Sequence, residues 1–359
     1  MGHFILVINP GGSSTKLALF EDERVIFSEN LRHHGEELKK FSTSVEQLDF
    51  REKFIRDFLR EKAVRIETLS AVVGRGGPFK PLESGTYIVN EAMLSDILEG
   101  RTQADHPSNL GALLADRLAR NVGIPAYIVD PVSVDEFEPI ARVSGLPELP
   151  RVSLSHALNI KMIGKRFAKE HGKDYNKLNL IIVHLGSGIS VTAHKNGRMI
   201  DVNNANDEGP FSPQRTGTLP LSGLIRLCYS GKYTLNEMLN RVHKTGGLYA
   251  YLGTDNVEEV EKRIAQGDKE AEFYLTAMAY QIAKEIGAYA AVLYGRVDAI
   301  LVTGGAAHSG FLVDAIKERV SFIAPVFVYP GEDEMLALAL GALRVLNGEE
   351  KPKEYKQEE

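Results

Sequence analysis

Residues 4 to 8 are apolar (Phe4, Ile5, Leu6, Val7, Ile8), residues 9 to 16 read Asn-Pro-Gly-Gly-Ser-Ser-Thr-Lys, and residues 17 to 20 are apolar again. Two apolar runs about a turn of small and hydroxyl residues predict a strand, a tight turn and a strand. The pattern recurs over 180 to 194, Leu-Ile-Ile-Val-His-Leu-Gly-Ser-Gly-Ile-Ser-Val-Thr-Ala-His, before the polar turn Lys195-Asn196-Gly197. A third apolar strand, 299 to 303, runs into Gly304-Gly305-Ala306-Ala307-His308-Ser309-Gly310 and a helix.

Between these landmarks the apolar spacing changes to that of helices. Leu48, Phe54, Ile55, Phe58 and Leu59 stand among charges at one-faced helical spacing over 45 to 63. A strand over 70 to 74 leads into Gly74-Arg75-Gly76-Gly77-Pro78; a helix over 109 to 122, capped by Ser108, stops at Gly123; a strand over 126 to 130 ends in Asp130-Pro131. Further helices are expected at 155 to 171, 222 to 229, 234 to 244 (Thr234 and Glu237 at capping-box spacing), 256 to 266 and 335 to 346. The longest, 269 to 294, carries alanines and aromatics on most faces and is expected to be buried in the second half. Strands alternating with helices predict α/β architecture with mixed sheets flanked by helices.

At 359 residues the chain suits two domains. The Gly- and Pro-containing segment 144 to 151 is the expected boundary, giving domains 1–147 and 148–334, with a polar and disordered tail over 349–359. With 43% hydrophobic residues, 25% charged and a net charge of −6, nothing calls for nucleic acid or an anionic membrane, and any anion site must be built locally. The single cysteine, Cys228, excludes an internal disulfide and is expected to be a small buried hydrophobe. No stretch reaches the roughly 18 apolar residues of a membrane span, so the expected location is the cytoplasm.

Gly11 and Gly12 permit backbone angles and close approach that side chains forbid, and Ser13, Ser14 and Thr15 set donors where a phosphate could sit; an ordinary hairpin with a solvated turn is the alternative. Three glycine-rich turns, each directly after a buried strand, argue for two similar halves holding a nucleotide. Arg75 and Arg215 (in Gln214-Arg215-Thr216-Gly217) sit in glycine-containing loops, read as mobile and open, where planar guanidinium forks could clamp phosphate or carboxylate. P-loop, Gly-x-Gly-x-x-Gly and His-Glu-x-x-His patterns are all absent.

The hairpin Val7-Ile8-Asn9-Pro10-Gly11-Gly12-Ser13-Ser14, the run Val183-His184-Leu185-Gly186-Ser187-Gly188 and the loop Thr303-Gly304-Gly305 together resemble the two phosphate motifs and the adenosine motif of the acetate and butyrate kinases, within the superfamily of actin, hexokinase and the heat-shock ATPases. The resemblance spans residues 4 to 347. It implies two ribonuclease-H-like domains around a nucleotide cleft, with the helix at 335–348 returning to the first domain. It implies ATP or ADP held by Asn9, Gly12, Ser13, Ser14, Lys16, Gly186, Ser187, Gly188, Gly304, Gly305 and Ala306, and Mg2+ near Asn9 and Glu334, with Glu332 competing for the latter role. Arg75, Arg215, His184 and Asp130 are implied at the transferring phosphoryl group, and His106 and His156 on the substrate side. The family's His-Arg-x-x-His-Gly-Gly motif is shortened here to Gly74-Arg75-Gly76-Gly77, which with Asp130-Pro131-Val132 and the shorter chain points to butyrate rather than acetate kinase.

The expected activity is reversible phosphorylation of butanoate by ATP through direct in-line transfer, in a homo-oligomer that is a dimer or a multiple of it. Alternatives are an acetate, propionate or branched-chain fatty acid kinase, a sugar kinase or polyphosphatase of the same superfamily, and an ATPase that uses nucleotide only to switch conformation.

Overall fold

The computed structural model describes residues 2–357. Its strands are β1 (Phe4–Pro10), β2 (Ser14–Glu21), β3 (Arg24–Arg32), β4 (Ala71–Arg75), β5 (Thr86–Ile88), β6 (Ala126–Val129), β7 (Asn179–Leu185), β8 (Ile189–Lys195), β9 (Arg198–Val202), β10 (Ala299–Gly304), β11 (Val326–Pro330) and β12 (Lys353–Glu354). They form one seven-stranded and one five-stranded sheet, and the chain divides into two compact units, Met1–Val134 with Asp333–Glu359 and Asp135–Glu332. The division thus lies before the 144 to 151 segment, and helix Glu334–Leu346 belongs to the first unit.

In the first unit the order is β12-β5-β6-β4-β1-β2-β3. β1, β2 and β3 run antiparallel in succession, while β4 and β6 continue parallel to β1. Leu6 and Ile8 of β1 face a core closed by helices Leu48–Glu61 and Leu110–Ala119, and helix Glu334–Leu346 packs on β1, β4 and β6. Gly341 lets that helix approach closely, because a Cβ there would lie 2.4 Å from Val129 Cγ2.

The second unit repeats the scheme in the order β11-β10-β7-β8-β9, with β7, β8 and β9 antiparallel and β10 and β11 parallel to β7. This duplication of three antiparallel and two parallel strands is the ribonuclease-H-like arrangement expected of both halves. One core packs Val183, Val191 and Val302 against helix Lys269–Val292. That helix buries a single stripe, including Leu275, Met278, Ile282 and Ile286, and leaves Phe273 and Tyr280 exposed, so it is one-faced rather than buried all round.

Four expectations need correction. Cys228 is exposed, because helix Leu221–Cys228 buries none of its residues. Ser108 does not cap the helix that follows; His106 caps the preceding short turn by accepting from the Ser108 N–H. The tail is ordered from 349 to 357: β12 pairs in parallel with β5, and Tyr355 is buried with its hydroxyl donating to Asp96 at 2.8 Å. The rest of the tail expectation, residues 358 and 359, lies outside the described residues. Finally, neither Gly11 nor Gly12 takes a positive φ.

Candidate active site

In the first unit the site residues gather at the ends of β1, β4 and helix Glu334–Leu346. The turn after β1 is closed by Gly11 N–H donating to Ser14 O at 2.8 Å, with Gly12 and Ser13 exposed and Ser14 half-buried. Asn9, buried at the end of β1, donates through Nδ2 to Glu334 Oε2 at 2.8 Å. Arg75, the last residue of β4, pairs through Nη1 with Glu334 Oε1. Lys16 stands opposite Asn9 in the β1–β2 register and adds its charge to the field at Glu334. Burial pushes the Glu334 carboxyl up, but the pairing with Arg75, the Asn9 hydrogen bond and Lys16 outweigh it and hold the group below the usual carboxylate range.

The glycines around Arg75 serve packing rather than mobility. A Cβ on Gly74 would lie 2.0 Å from Gly111 O, and one on Gly77 would lie 1.9 Å from Asn109 Oδ1. The arginine is therefore a fixed strand-end residue with 15% of its side chain exposed, and its Nε is buried without a partner. His106 sets Nδ1 against Ser108 Oγ at 2.7 Å; desolvation of the ring, and after it the Arg75 charge, lower its pKa. Asp130 sits at a positive φ of 38°, buried, with Oδ1 accepting from Ser84 Oγ at 2.6 Å and Gly85 N–H at 2.8 Å. That oxygen holds a turn.

In the second unit His184, buried near the end of β7, sets Nδ1 against Asn159 Oδ1 at 3.0 Å and Nε2 against Glu332 Oε2 at 3.3 Å. His156 stacks on it, centroid to centroid 3.9 Å at an interplanar angle of 12°, with Nδ1 against Ser190 Oγ at 3.0 Å. The two carboxylates that sequence could not separate thus have different neighbours: Glu334 faces Asn9 and Arg75, Glu332 faces His184. Arg215 donates from Nη1 to Ala205 O at 2.9 Å and buries a partnerless Nε, and burial lowers its pKa. Gly188 exists to admit it, since a Cβ there would lie 2.2 Å from Arg215 Nη1.

Beside this cluster lies a cavity of about 730 Å3 whose walls include Gly186, Ser187, Gln214, Gly305, Ala306 and Glu332. Gly304, the residue before Gly305, takes a φ of 94°, and a Cβ there would lie 2.4 Å from Leu185 O. The predicted residues Gly186, Ser187, Gly305 and Ala306 are thus brought to one cavity large enough for a nucleoside with phosphates attached. Sequence reading missed Arg51, Asn159 and the His156–His184 stack. Their only signals were an arginine in an otherwise one-faced helix and an Asn three positions after His156.

Asn9 and Glu334 offer hard oxygen donors of the kind Mg2+ takes. Among the described residues no group of three or more His, Cys, Asp or Glu could hold a metal, so a cation here would complete its shell with waters and phosphate oxygens.

Residues 154–322 match the acetokinase family. Butyrate kinase 2 of Clostridium acetobutylicum is 54% identical over 353 residues, 98% of this chain and 99% of that one. A probable butyrate kinase of Clostridium botulinum (strain Alaska E43 / Type E3) is 52% identical over 356 residues, covering 99% and 100%. Among solved structures, Porphyromonas gingivalis acetate kinase aligns with a TM-score of 0.80 at 20% identity over 96% of this chain and 100% of that one, a likeness of fold. With identity above one half extending over nearly its whole length, the chain belongs to the acetokinase family, alongside the butyrate kinases.

Proposed function

We propose that the chain transfers the γ-phosphoryl group of ATP to the carboxylate of a short-chain fatty acid, butanoate first, giving butanoyl phosphate and ADP. The observation that carries this reading is the 54% identity to a butyrate kinase over 98% of the chain. In the transfer a carboxylate oxygen attacks the γ-phosphorus in line, the bond to the ADP oxygen breaks, and no proton moves; the acceptor is ionised at neutral pH and needs no general base. The reverse reaction follows the same path.

The charge problem of joining two anions falls to Arg75 and Arg215. Each is buried enough to keep an Nε without a protein acceptor, which supports a role for both in meeting anionic oxygens. His184 is assigned to hydrogen-bond the phosphoryl oxygens from Nε2, the nitrogen that faces a carboxylate oxygen here. Asp130 is kept as a candidate beside the phosphoryl group, and His106 and His156 on the acceptor side. The turns at Gly12-Ser13-Ser14 with Lys16, Gly186-Ser187-Gly188 and Gly304-Gly305-Ala306 are assigned to the nucleotide. Mg2+, held by Asn9 and Glu334, would neutralise phosphate charge.

The same reading includes a homo-oligomer and a cytoplasmic location; no helix among the described residues is long and apolar enough to cross a membrane. Hydroxylamine trapping tests the central claim. With ATP, Mg2+ and butanoate a hydroxamate should accumulate; ATP turnover without hydroxamate from any carboxylate would overturn the reading in favour of a sugar kinase or an ATPase.

A further inference from the structure

Arg51 heads the largest side chains that have no exposed surface. It leaves the first turn of helix Leu48–Glu61 and places every donor inside the first unit. Nη1 donates to Ser14 O and to Thr15 Oγ1, both at 3.0 Å. Nη2 donates to Gly11 O at 2.9 Å, Gly12 O at 3.3 Å and Gln47 Oε1 at 2.8 Å, and Nε donates to Gln47 Oε1 at 3.0 Å. All five acceptors are neutral. Burial is the one influence shifting its pKa, downward to about 10, so it stays cationic at neutral pH. A buried guanidinium whose acceptors are all neutral is costly, and an anion brought near it would offset part of that cost.

The carbonyls it holds reveal where that anion belongs. Ser13 O accepts from His33 N–H at 2.9 Å, so all four carbonyls of the turn, Gly11 to Ser14, are engaged within the unit. In a trans peptide the C=O of one residue and the N–H of the next point in opposite directions. Holding Gly11 O and Gly12 O therefore aims the N–H groups of Gly12 and Ser13 away from Arg51. Those two N–H groups donate to no acceptor among the described residues, and both residues are exposed. Gly12 is not demanded by folding, for its φ is ordinary and a Cβ there would meet nothing within 4 Å.

We infer that Arg51 is a positioning residue for nucleotide phosphate: it fixes the Gly12 and Ser13 amides as an outward-facing anion-binding pair and sets a positive charge behind them. The inference rests on the proposed reading that this turn meets the phosphates. Arg51 itself touches no substrate; it acts through the two peptide planes.

The test measures calorimetric binding of ATP, ADP and adenosine, with kcat, for wild type, Arg51→Lys, Arg51→Met and Gly12→Val. Losing two aligned donors and the charge behind them should weaken ATP and ADP by about tenfold or more and lower kcat by about a hundredfold. Adenosine, which carries no phosphate, should change by less than about twofold. Arg51→Lys keeps a charge but not the fork and should fall between wild type and Arg51→Met. If Arg51→Met does not fold, Arg51→Lys decides. Arg51→Lys binding ATP like wild type, or losing ATP and adenosine alike, overturns the inference. Gly12→Val separates the two claims: wild-type ATP affinity in it overturns the phosphate reading of the turn, and the inference with it. Weak ATP binding in Gly12→Val beside normal binding in Arg51→Lys sinks the role of Arg51 alone.

Discussion

Arg75 and Glu334, 259 residues apart in the chain, form a direct ion pair, and Asn9 holds the other oxygen of the same carboxylate. The pair joins the end of a central strand to the first turn of the returning helix. The guanidinium is thereby fixed in direction while its buried Nε keeps an unused donor. Preorganised charge of this kind needs no rearrangement when an anion arrives.

Replacing Arg75 or Arg215 by alanine should accordingly lower kcat by about two orders of magnitude or more, the scale of losing one preorganised donor. Steady-state kinetics on folded variants checks this, and a loss below about fivefold for either would remove it from the transfer step.

His184 is expected to donate to phosphoryl oxygens without being phosphorylated. Its Nδ1 is anchored to Asn159, a partner an amide could also satisfy, so His184→Gln should retain more activity than His184→Ala. Rapid quench during turnover provides the sharper check. Acid-labile phosphate on His184 would refute direct transfer.

The two hairpins, the three glycine turns and most helices were legible because strand and helix periodicities differ and glycine marks turns. What escaped had at most a weak local signal. Arg51 is one of the charges among which the apolar residues of its helix stand, yet it is fully buried because the hairpin 37 residues earlier in the chain supplies its acceptors. Cys228 read as a core residue by type, but its helix buries nothing. The polar tail offered no apolar run, and its order comes from one aromatic and a two-residue strand that only the folded sheet edge can receive. Glu332 and Glu334 could not be told apart by spacing alone, since their neighbours come from distant parts of the chain.

Stability should fall in mild acid through His33. Burial, and then the Arg51 charge, lower its pKa to about 4, while its Nε2 faces Thr15 Oγ1 at 2.9 Å. The folded value lies below the unfolded one of about 6.5, so the unfolded chain binds the extra proton between them and stability rises with pH across that window. The contribution is complete above about pH 6.5 and is lost as pH falls toward 4, the loss reaching about 2 kcal/mol by pH 5. Urea unfolding of wild type and His33→Gln at pH 5 and pH 7.5 measures it. Equal pH sensitivity in the two proteins would exclude His33 as the source.

The tail should matter to stability. Tyr355 is 2% exposed, donates to Asp96, and lies beneath Lys80 Nζ at 4.5 Å from the ring centroid. Tyr355→Phe should cost about 1 to 2 kcal/mol for the lost hydrogen bond, and Tyr355→Ala about 3 to 5 for the cavity as well. Thermal melts that failed to separate Tyr355→Ala from wild type would show that the tail contributes nothing to the fold.

The acceptor profile should peak near four carbons. Acetate offers a pocket one methyl group, whereas each further buried methylene contributes about 0.8 kcal/mol, roughly fourfold in binding. Two methylenes favour butanoate over acetate by about fifteenfold while room remains. Beyond the wall the sign reverses, because forcing methylenes into a packed site costs about 1 to 3 kcal/mol. Branched isobutyrate spreads the same apolar atoms sideways, so its rank against butanoate reports the width of the pocket rather than its depth. The measurement is kcat/KM for acetate, propionate, butyrate, isobutyrate, valerate and hexanoate under one set of conditions. A maximum at acetate would make the enzyme an acetate kinase despite its butyrate kinase relatives, and values still rising at hexanoate would mean that the acyl chain meets no wall at all.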